Sequence, residues 1–459
     1  MASRPLGSRV YRRSKSLVLS ARHWRSRLVF WIGALAIGVI SALFARVADE
    51  AQVLFSFVTD GGGWHQFSPM IVTPLGFVFC AWLADKYFPG SQGSGIPQVI
   101  AARHMHDDEE RGGYLSIKTV VGKVVLTVVG LASGASIGRE GPTVQIGASA
   151  MIQAARLGGM VHARGLILAG SAAGIAAAFN TPLAGIVFAI EEMSRSYNAR
   201  TNGVVLSAVI IAGVASLAIV GNYTYFGVTH AVASFPNDWP LVISCGVVGG
   251  VLGALFSRWT QYITHRIRRW RFEQPRHRVI VVAAMAGTLV ATIGIATGGM
   301  TFGTGYAQAR GAVEGQALPA TFFVGKLLAT IASTLSGIPG GLFAPSLAVG
   351  AGLGSALGLV FSSSASLAAV LGMAGYFAGV VQAPMTAFVI IVEMTGSHDN
   401  VVPIMAASMI GYGVSRVVSP HPLYHALSRL WLADAIRKRR AEGAQPPSPT
   451  MPHSPANLT

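Results

Sequence analysis

The feature that most constrains the fold is an internal duplication, because residues of the first half recur about two hundred positions later. The tripeptide Val121-Gly122-Lys123 recurs as Val324-Gly325-Lys326, at an offset of 203 residues. Eleven pairs agree at the adjacent offsets 203 and 202, which indicates one insertion or deletion between two repeats. Duplications of this length are typical of membrane transporters. The other pairs are Ser133/Ser336, Gly134/Gly337, Gly138/Gly341, Pro142/Pro345, Gly147/Gly350, Gly170/Gly372, Pro182/Pro384 and Glu191/Glu393.

The composition places both repeats in a membrane. Hydrophobic residues make up 52% of the chain and charged residues only 11%, against roughly 25% charged in soluble domains. Apolar runs such as Leu28–Phe44 and Val279–Ala296 reach membrane-spanning length. Glycine is common where transmembrane helices pack closely, and the chain has 55 glycines. We therefore predict an all-α polytopic membrane protein rather than a large soluble one.

The distribution of basic residues predicts the orientation. Residues 1–27 hold eight Lys and Arg and no acid, the stretch 265–278 holds six Arg and one Glu, and Arg437–Arg440 are all basic. By the positive-inside rule these three clusters face the cytoplasm. The stretch 222–239 has no Lys or Arg and faces outside. Because the clusters flank apolar spans, we attribute the net charge of +16 to membrane topology rather than to nucleic-acid binding.

This orientation makes the duplication an inverted repeat. The first half enters from the cytoplasm and ends outside, whereas the second half starts outside and ends in the cytoplasm, so both termini are cytoplasmic. Frequent Gly and Pro predict broken and half-spanning helices around a central anion site. The predicted organisation is a basic cytoplasmic segment 1–27, membrane repeat 28–221, extracytoplasmic link 222–239, membrane repeat 240–435 and a disordered cytoplasmic tail 436–459.

Glu140 is the first candidate functional residue, because it is an acid inside an almost uncharged region. The preceding segment Val120–Ile137 has one charge, Lys123, and the following segment Thr143–Leu157 has only Arg156. An ionisable side chain at membrane depth is costly and is therefore a functional-site hypothesis by default. The surrounding glycines and proline indicate an interrupted backbone, and the helix N-terminus that follows attracts anions.

Three Gly/Pro-rich segments can present helix N-termini to one point. Each combines glycine, which allows a close backbone approach, with proline, which suits a first helical turn. Their N–H groups carry partial positive charge without a full cation, which suits an anion that must bind and still leave. Taken singly, each segment could be an ordinary loop. The segments are Gly93-Ser94-Gly95-Ile96-Pro97, Gly138-Arg139-Glu140-Gly141-Pro142 and Gly341-Leu342-Phe343-Ala344-Pro345.

These segments resemble the signature motifs of the CLC family of chloride channels and proton-coupled chloride antiporters. Tyr424, in the sequence His421-Pro422-Leu423-Tyr424, is similar to the family's tyrosine near the end of the membrane domain. The resemblance implies that Ser94 and Tyr424 offer hydroxyl groups to a central chloride. It also implies that the backbone N–H groups of Leu342 and Phe343 complete the site. Glu140 would be both the gate and the external proton carrier.

Glu192 distinguishes the two branches of the family. Its neighbour Glu191 has a repeat partner, Glu393, which predicts a structural, capping or hydrogen-bonding role for that pair. Glu192 has no such partner, because Met394 stands at its counterpart. The resemblance implies that Glu192 is the internal proton-transfer residue of an antiporter. The alternative is a solvated acid at a helix end. Lys123 resembles a buried basic residue of the family, although its duplicate Lys326 favours a structural role equally.

The leading hypothesis is an H⁺/Cl⁻ antiporter, with a Glu140-gated passive chloride channel as the first alternative. An intramembrane enzyme that uses Glu140 and Glu192 as a carboxylate pair is a third, disfavoured hypothesis, because the chain has no recognisable hydrolase constellation. The cluster of acids and histidines at 104–110 runs consecutively, which predicts a solvated loop rather than a metal site. We expect no cofactor and no metal, only chloride and protons as substrates.

The resemblance further implies a homodimer in the inner (plasma) membrane, in contact with lipid. The family's cytoplasmic nucleotide-binding modules do not occur in this sequence, which favours a compact, prokaryotic-type member.

Overall fold

The computed structural model describes residues 21–59, 61, 63–105, 107–160, 163–194, 199–221, 223–271 and 275–443. Most of the predicted basic segment 1–27 and most of the predicted tail, residues 444–459, lie outside these ranges. Within them the protein is almost entirely helical and contains no β-strand. The fold is therefore the predicted all-α membrane architecture.

The first half contains nine α-helices. Proline stands in the first turn of α2, α3 and α8, where its missing N–H group would have no intrahelical partner. A short π-helical segment, Ala189–Ser194, continues α8. The helices are α1 Ala21–Thr59, α2 Pro69–Lys86, α3 Ile96–His104, α4 Asp108–Leu115, α5 Ile117–Ala132, α6 Glu140–Gly158, α7 Ala163–Phe179, α8 Pro182–Phe188 and α9 Ala199–Val220.

The second half contains nine more helices. Its α16 again has proline in its first turn, as the equivalent α8 does. The last helix, α18, has no counterpart in the first half. The helices are α10 Trp239–Arg271, α11 Pro275–Ala296, α12 Tyr306–Val313, α13 Ala320–Leu335, α14 Phe343–Phe361, α15 Ala365–Val381, α16 Pro384–Thr395, α17 Val401–Val418 and α18 Leu423–Gly443.

Helices of unequal length make up the membrane domain. Within the described residues, eight helical segments are long and apolar enough to cross a membrane. Four other apolar helices are shorter, with 10–17 residues, and include most of α7 together with α13, α15 and α16. Helix α15 is buried from Ser366 to Val381 and α7 from Leu166 to Phe179, so both belong to the protein interior rather than to a lipid-facing surface.

The helix boundaries repeat at the offsets seen in the sequence. Helices α5 and α13 begin at 117 and 320, and α6 and α14 begin at 140 and 343, so both pairs are 203 residues apart. Helices α8 and α16 begin at 182 and 384, which is 202 residues. The packing repeats as well: α1 packs on α7 and α9, and α10 packs on α15 and α17. The two halves are thus copies of one helical unit.

One loop accounts for the change of offset. Four residues connect α6 to α7, at 159–162, whereas three connect α14 to α15, at 362–364. The duplicated glycines flank this loop in both halves. A Cβ atom on Gly147 would lie 2.2 Å from the Gly170 carbonyl oxygen, and one on Gly372 would lie 2.3 Å from the Gly350 carbonyl oxygen. These glycines recur because two helices cross there at backbone contact.

Two sequence-based boundaries need correction. The predicted disordered tail from 436 is wrong for residues 436–443, because α18 continues to Gly443, and Arg268 pairs with Asp434 at 2.8 Å shortly before that end. The predicted acidic loop is partly helical. Asp107 caps α4 by accepting a hydrogen bond from the Glu109 N–H group, and Asp108, Glu109 and Glu110 form the first turn, where negative charge is favourable.

Candidate functional site

Hydrogen bonds between backbone segments bring the three Gly/Pro-rich segments together. Gly138 and Gly341 form an antiparallel bridge, in which each N–H group donates to the other carbonyl, at 2.8 and 2.6 Å. Gly93 forms a parallel bridge beside Pro339, donating to the Ile338 carbonyl at 3.1 Å and accepting from Gly340 N–H at 3.1 Å. The third segment therefore holds the other two, although they lie about 200 residues away in the chain.

Each segment starts a helix, as predicted. Gly95, Arg139 and Leu342 are the residues immediately before α3, α6 and α14. The first N–H groups of a helix have no intrahelical acceptor and carry partial positive charge. Because the bridges join the starts of α6 and α14, two such N-termini meet at one buried point.

Ser94 lies directly against the second segment. A Cβ atom on Gly141 would be 2.4 Å from the Ser94 Oγ atom and 3.1 Å from the Gly341 Cα atom, so only glycine fits at position 141. Tyr424 is a neighbour of Ser94 and stands in the first turn of α18, fully buried. Neither the Ser94 nor the Tyr424 hydroxyl oxygen has a hydrogen-bond partner within the described part of the chain. Two buried hydroxyl groups are thus available at this point.

Phe343 and Leu342 complete the same wall. Both are buried, and Phe343 is the first residue of α14. The Phe343 ring stacks on the Tyr424 ring, with centroids 6.1 Å apart and planes at 23°, and lies 5.0 Å from the Phe377 ring. This packing fixes the start of α14 beside the Tyr424 hydroxyl group. The four residues predicted to bind the anion, Ser94, Leu342, Phe343 and Tyr424, therefore surround one region.

Glu140 is fully buried at the start of α6. Its Oε1 atom accepts a hydrogen bond from the Tyr225 hydroxyl group at 3.4 Å. Its own N–H group and that of Ala344 approach the carboxylate. The carboxylate folds back over Gly138, where a Cβ atom would lie 2.2 Å from Oε2. The side chain thus occupies the space in front of the two joined helix N-termini.

Arg139 is directed away from this space. Its guanidinium group donates to the Asp49 carboxylate at 2.8 Å and to the Ala45 carbonyl at 2.7 Å, both on α1. It also lies over the Tyr225 ring, 5.6 Å from the centroid. The cation therefore has its own partners. Asp49 and Tyr225 are residues that sequence reasoning missed, because they are distant in the chain and belong to no recognised motif.

Comparison with known proteins identifies the family. The family model described as "Voltage gated chloride channel" matches residues 75–416. The H(+)/Cl(-) exchange transporter ClcA of Yersinia pseudotuberculosis serotype IB (strain PB1/+) is 30% identical over 462 residues, covering 92% of each chain. ClcA of Yersinia pestis matches with the same identity and coverage. This chain belongs to the CLC family.

Solved structures show the same CLC fold. A slow cyanobacterial Cl-/H+ antiporter superposes with a TM-score of 0.76 at 24% identity, covering 89% of this chain and 98% of that one. A CLC-type fluoride/proton antiporter superposes with a TM-score of 0.71 at 23% identity, covering 86% and 96%. At these identities the likeness establishes the fold alone. The fold confirms a multi-pass membrane protein within a family of transporters and channels.

Glu192 is the second buried carboxylate of this CLC chain. It lies in the π-helical segment Ala189–Ser194, and its side chain is 1% exposed. Segments of this kind are often found at functional positions. His425, the residue after Tyr424, lies beside it, with Nε2 at 3.7 Å from Glu192 Oε1. Tyr424 interacts electrostatically with both Glu192 and Glu140. The tyrosine is therefore near both acids.

The two duplicated lysines bind carbonyl groups. Lys123 Nζ donates to the Gly93 carbonyl at 2.8 Å and thereby holds the first segment. Lys326 Nζ donates to the Thr301 and Gly303 carbonyls at 3.0 and 2.7 Å. Both side chains are fully buried. In this CLC chain the lysines share one kind of contact, but only Lys123 makes it to a residue of the candidate site.

Proposed function

We propose that the protein is a secondary active transporter that exchanges chloride for protons across the membrane. The observation that carries this proposal is the placement of two buried carboxylates, Glu140 and Glu192, near the single hydroxyl group of Tyr424. A passive anion pathway needs helix N-termini and hydroxyl groups but no second buried acid. The names of the curated relatives, which are H(+)/Cl(-) exchange transporters, support the same assignment.

Chloride would bind between the hydroxyl groups of Ser94 and Tyr424 and the first N–H groups of α14, at Leu342 and Phe343. These groups are polar but carry no full charge, so they can replace the hydration of an anion without trapping it. The nearest cation of the second segment, Arg139, is already paired with Asp49. Binding would therefore depend on dipoles and hydroxyl groups.

Glu140 would act as both the gate and the external proton carrier. When ionised, its carboxylate competes with chloride for the space in front of the α6 and α14 N-termini. When protonated, it loses the attraction of these N-termini and leaves the space to chloride. Proton uptake and anion entry are coupled because one position serves both. Glu192 would exchange protons with the opposite side of the membrane.

We also propose a homodimer in the inner membrane with cytoplasmic termini. Exposed apolar side chains on α8, α9, α16 and α17 support a protein or lipid contact along this face, with Leu183 61% and Met385 48% exposed. The clusters of basic residues at 265–278 and 437–440 support the orientation. Chloride and protons are the only substrates in this proposal, without a cofactor, a catalytic metal or an enzymatic activity.

The test is proton movement driven by chloride. Proteoliposomes are loaded with high chloride, diluted into low chloride at equal pH, and clamped at zero voltage with valinomycin and equal potassium. Chloride then leaves, and an antiporter takes up protons, so the outer medium becomes alkaline until a protonophore is added. Glu192→Gln should abolish the alkalinisation but retain chloride efflux. Glu109→Gln, at an exposed acid of α4, is the control and should behave as wild type.

The same experiment separates the antiporter from the channel. Chloride efflux from wild-type vesicles without proton movement would make the protein a Glu140-gated channel and leave Glu192 outside the transport pathway. Absence of both fluxes, with the protein shown to be folded and inserted, would contradict chloride transport altogether.

A further inference from the structure

We propose that His425 transfers protons between solvent and Glu192, and is therefore an additional proton-pathway residue of this chain. The inference deepens the proposed function and depends on it. It is based on the position of one imidazole group between a buried carboxylate and the protein surface.

The contact geometry places the imidazole next to the acid. His425 Nε2 lies 2.9 Å from the Glu192 backbone oxygen and 3.7 Å from its carboxylate Oε1 atom. The first contact requires a proton on Nε2, since a carbonyl oxygen only accepts hydrogen bonds. The same N–H group therefore points at Glu192. A shift of less than 1 Å would bring Nε2 and Oε1 to hydrogen-bond distance, about 2.6–3.2 Å.

Exposure changes in one direction along this pair. The Glu192 side chain is 1% exposed, whereas that of His425 is 18% exposed. Tyr424, which precedes His425 on α18, is fully buried. The start of α18 thus leads from the interior, at Tyr424, to the partly solvated imidazole. A proton that reaches Glu192 from solvent on this side has His425 in its path.

Two arginines are close to the pair. Arg103 on α3 donates to the Met193 carbonyl and to the Ser194 hydroxyl group, so it lies against the same π-helical segment. Arg164 on α7 interacts electrostatically with Arg103. Both cations oppose protonation of His425, whereas the Glu192 carboxylate favours it. These opposing charges suit a group that must gain and lose a proton in every cycle.

The transfer itself is balanced. Neutral His425 carries its proton on Nε2 and takes a second proton from solvent on Nδ1. It then releases the Nε2 proton to the Glu192 carboxylate, so one proton enters and one leaves. Imidazole is the side chain whose ordinary pKa lies near neutral pH, which allows both steps.

A purely structural role would be a hydrogen bond to the Glu192 carbonyl and nothing more. Glutamine can donate that bond but does not titrate, so His425→Gln separates the two roles. His425→Ala removes both and leaves space for added imidazole. His421→Gln is the matched control, because His421 lies four residues away with an exposed side chain.

The experiment measures chloride and proton flux for these variants at several pH values on the His425 side. We expect His425→Gln to retain chloride flux and to lose proton flux roughly ten- to a hundredfold, within the range of acid–base effects. Its proton flux should also decline at lower pH than that of wild type, because direct transfer from water depends on the proton concentration. Added imidazole should restore proton flux in His425→Ala but not in Glu192→Gln.

Three results would overturn the inference. Wild-type proton flux and pH profile in His425→Gln would reduce His425 to a hydrogen-bond donor. A proportional loss of chloride and proton flux in His425→Gln would show a structural defect instead of a lost relay. Wild-type protein that moves chloride without protons would refute the proposed antiport itself, and the inference with it, which distinguishes that failure from the first two.

Discussion

Glu191 and Glu393 cap each other's helices across the two repeats. Glu191 Oε2 accepts a hydrogen bond from Thr386 N–H at 2.6 Å, at the start of α16, and Glu393 Oε2 accepts one from Ala184 N–H at 2.7 Å, at the start of α8. In both helices the preceding N–H group binds the other carboxylate oxygen at 3.1 Å. This exchange ties α8 to α16 at both ends and is the capping role predicted for the duplicated acids.

The first prediction concerns these caps. Glu393→Ala removes the acceptor for two N–H groups at the α8 N-terminus and should lower the free energy of unfolding by about 0.5–2 kcal/mol. Glu393→Gln should cost less, because an amide oxygen still accepts a hydrogen bond. Thermal unfolding in detergent measures both. Glu50→Ala, at an exposed acid of α1, is the control, and an equal loss in the control would contradict the capping role.

The second prediction concerns the Tyr225 hydroxyl group. Tyr225→Phe removes the donor to Glu140 and retains the ring that lies under Arg139. A neutral hydrogen bond contributes about 0.5–1.5 kcal/mol. If the Glu140 carboxylate competes with chloride, its weaker hold should increase chloride affinity roughly two- to tenfold, which isothermal titration calorimetry measures. Tyr223→Phe is the control on the neighbouring ring. Unchanged or weaker chloride binding in Tyr225→Phe would argue against the competition.

The third prediction concerns Gly141. An alanine there would place Cβ 2.4 Å from Ser94 Oγ and 2.6 Å from the Ser94 carbonyl oxygen, so the first segment must move. We expect Gly141→Ala to abolish measurable chloride binding and transport. Gly413→Ala is the matched control on α17, because a Cβ atom there meets nothing within 4 Å. It should retain transport and gain up to about 1 kcal/mol in stability, since alanine favours helix. Normal chloride binding by Gly141→Ala would separate Ser94 from the anion site.

The fourth prediction concerns pH and the link before α10. Hydrogen bonds from the Ser234 N–H and hydroxyl groups and from the Ser363 hydroxyl group hold the pKa of the Asp238 carboxyl below its usual value. A lowered folded-state pKa means that the stabilisation is complete above the unfolded pKa, near 3.9. It is lost as the pH falls through the folded pKa.

Thermal unfolding between about pH 5 and pH 3 measures this contribution. The midpoint of wild type should fall more steeply with acidification than that of Asp238→Asn, which has no carboxyl group to protonate. Asp399→Asn is the control at another exposed acid and should follow wild type. Parallel curves for wild type and Asp238→Asn would show that the three hydrogen bonds add nothing to stability.

Local and repeated features were predictable from the sequence. The three helix starts at Gly95, Arg139 and Leu342 follow from glycine and proline at fixed positions, and the fold follows from the duplication. Gln98 illustrates a readable signal that the analysis passed over. Its Oε1 atom accepts a hydrogen bond from Gly95 N–H at 3.2 Å, and a glutamine three residues after a helix cap is typical of this arrangement.

Contacts between distant segments were not predictable. Tyr225 reaches Glu140 from a stretch without helical or strand periodicity, and His425 reaches Glu192 across 233 residues. Neither pair repeats in the other half, so the duplication gives no signal for them. The end of α18 was misplaced for a related reason: the prediction of disorder from 436 relied on local composition, whereas the helix extends seven residues further.

The bridges between Gly138 and Gly341 and beside Gly93 limit how the protein can work. Four backbone hydrogen bonds cross between the repeats at the site itself. A cycle that rocked one half against the other would break them in every turnover, with no water at this depth to replace them. Exposure of the site to one side and then the other is therefore confined to rotations of side chains, above all of Glu140, within a frame that stays closed.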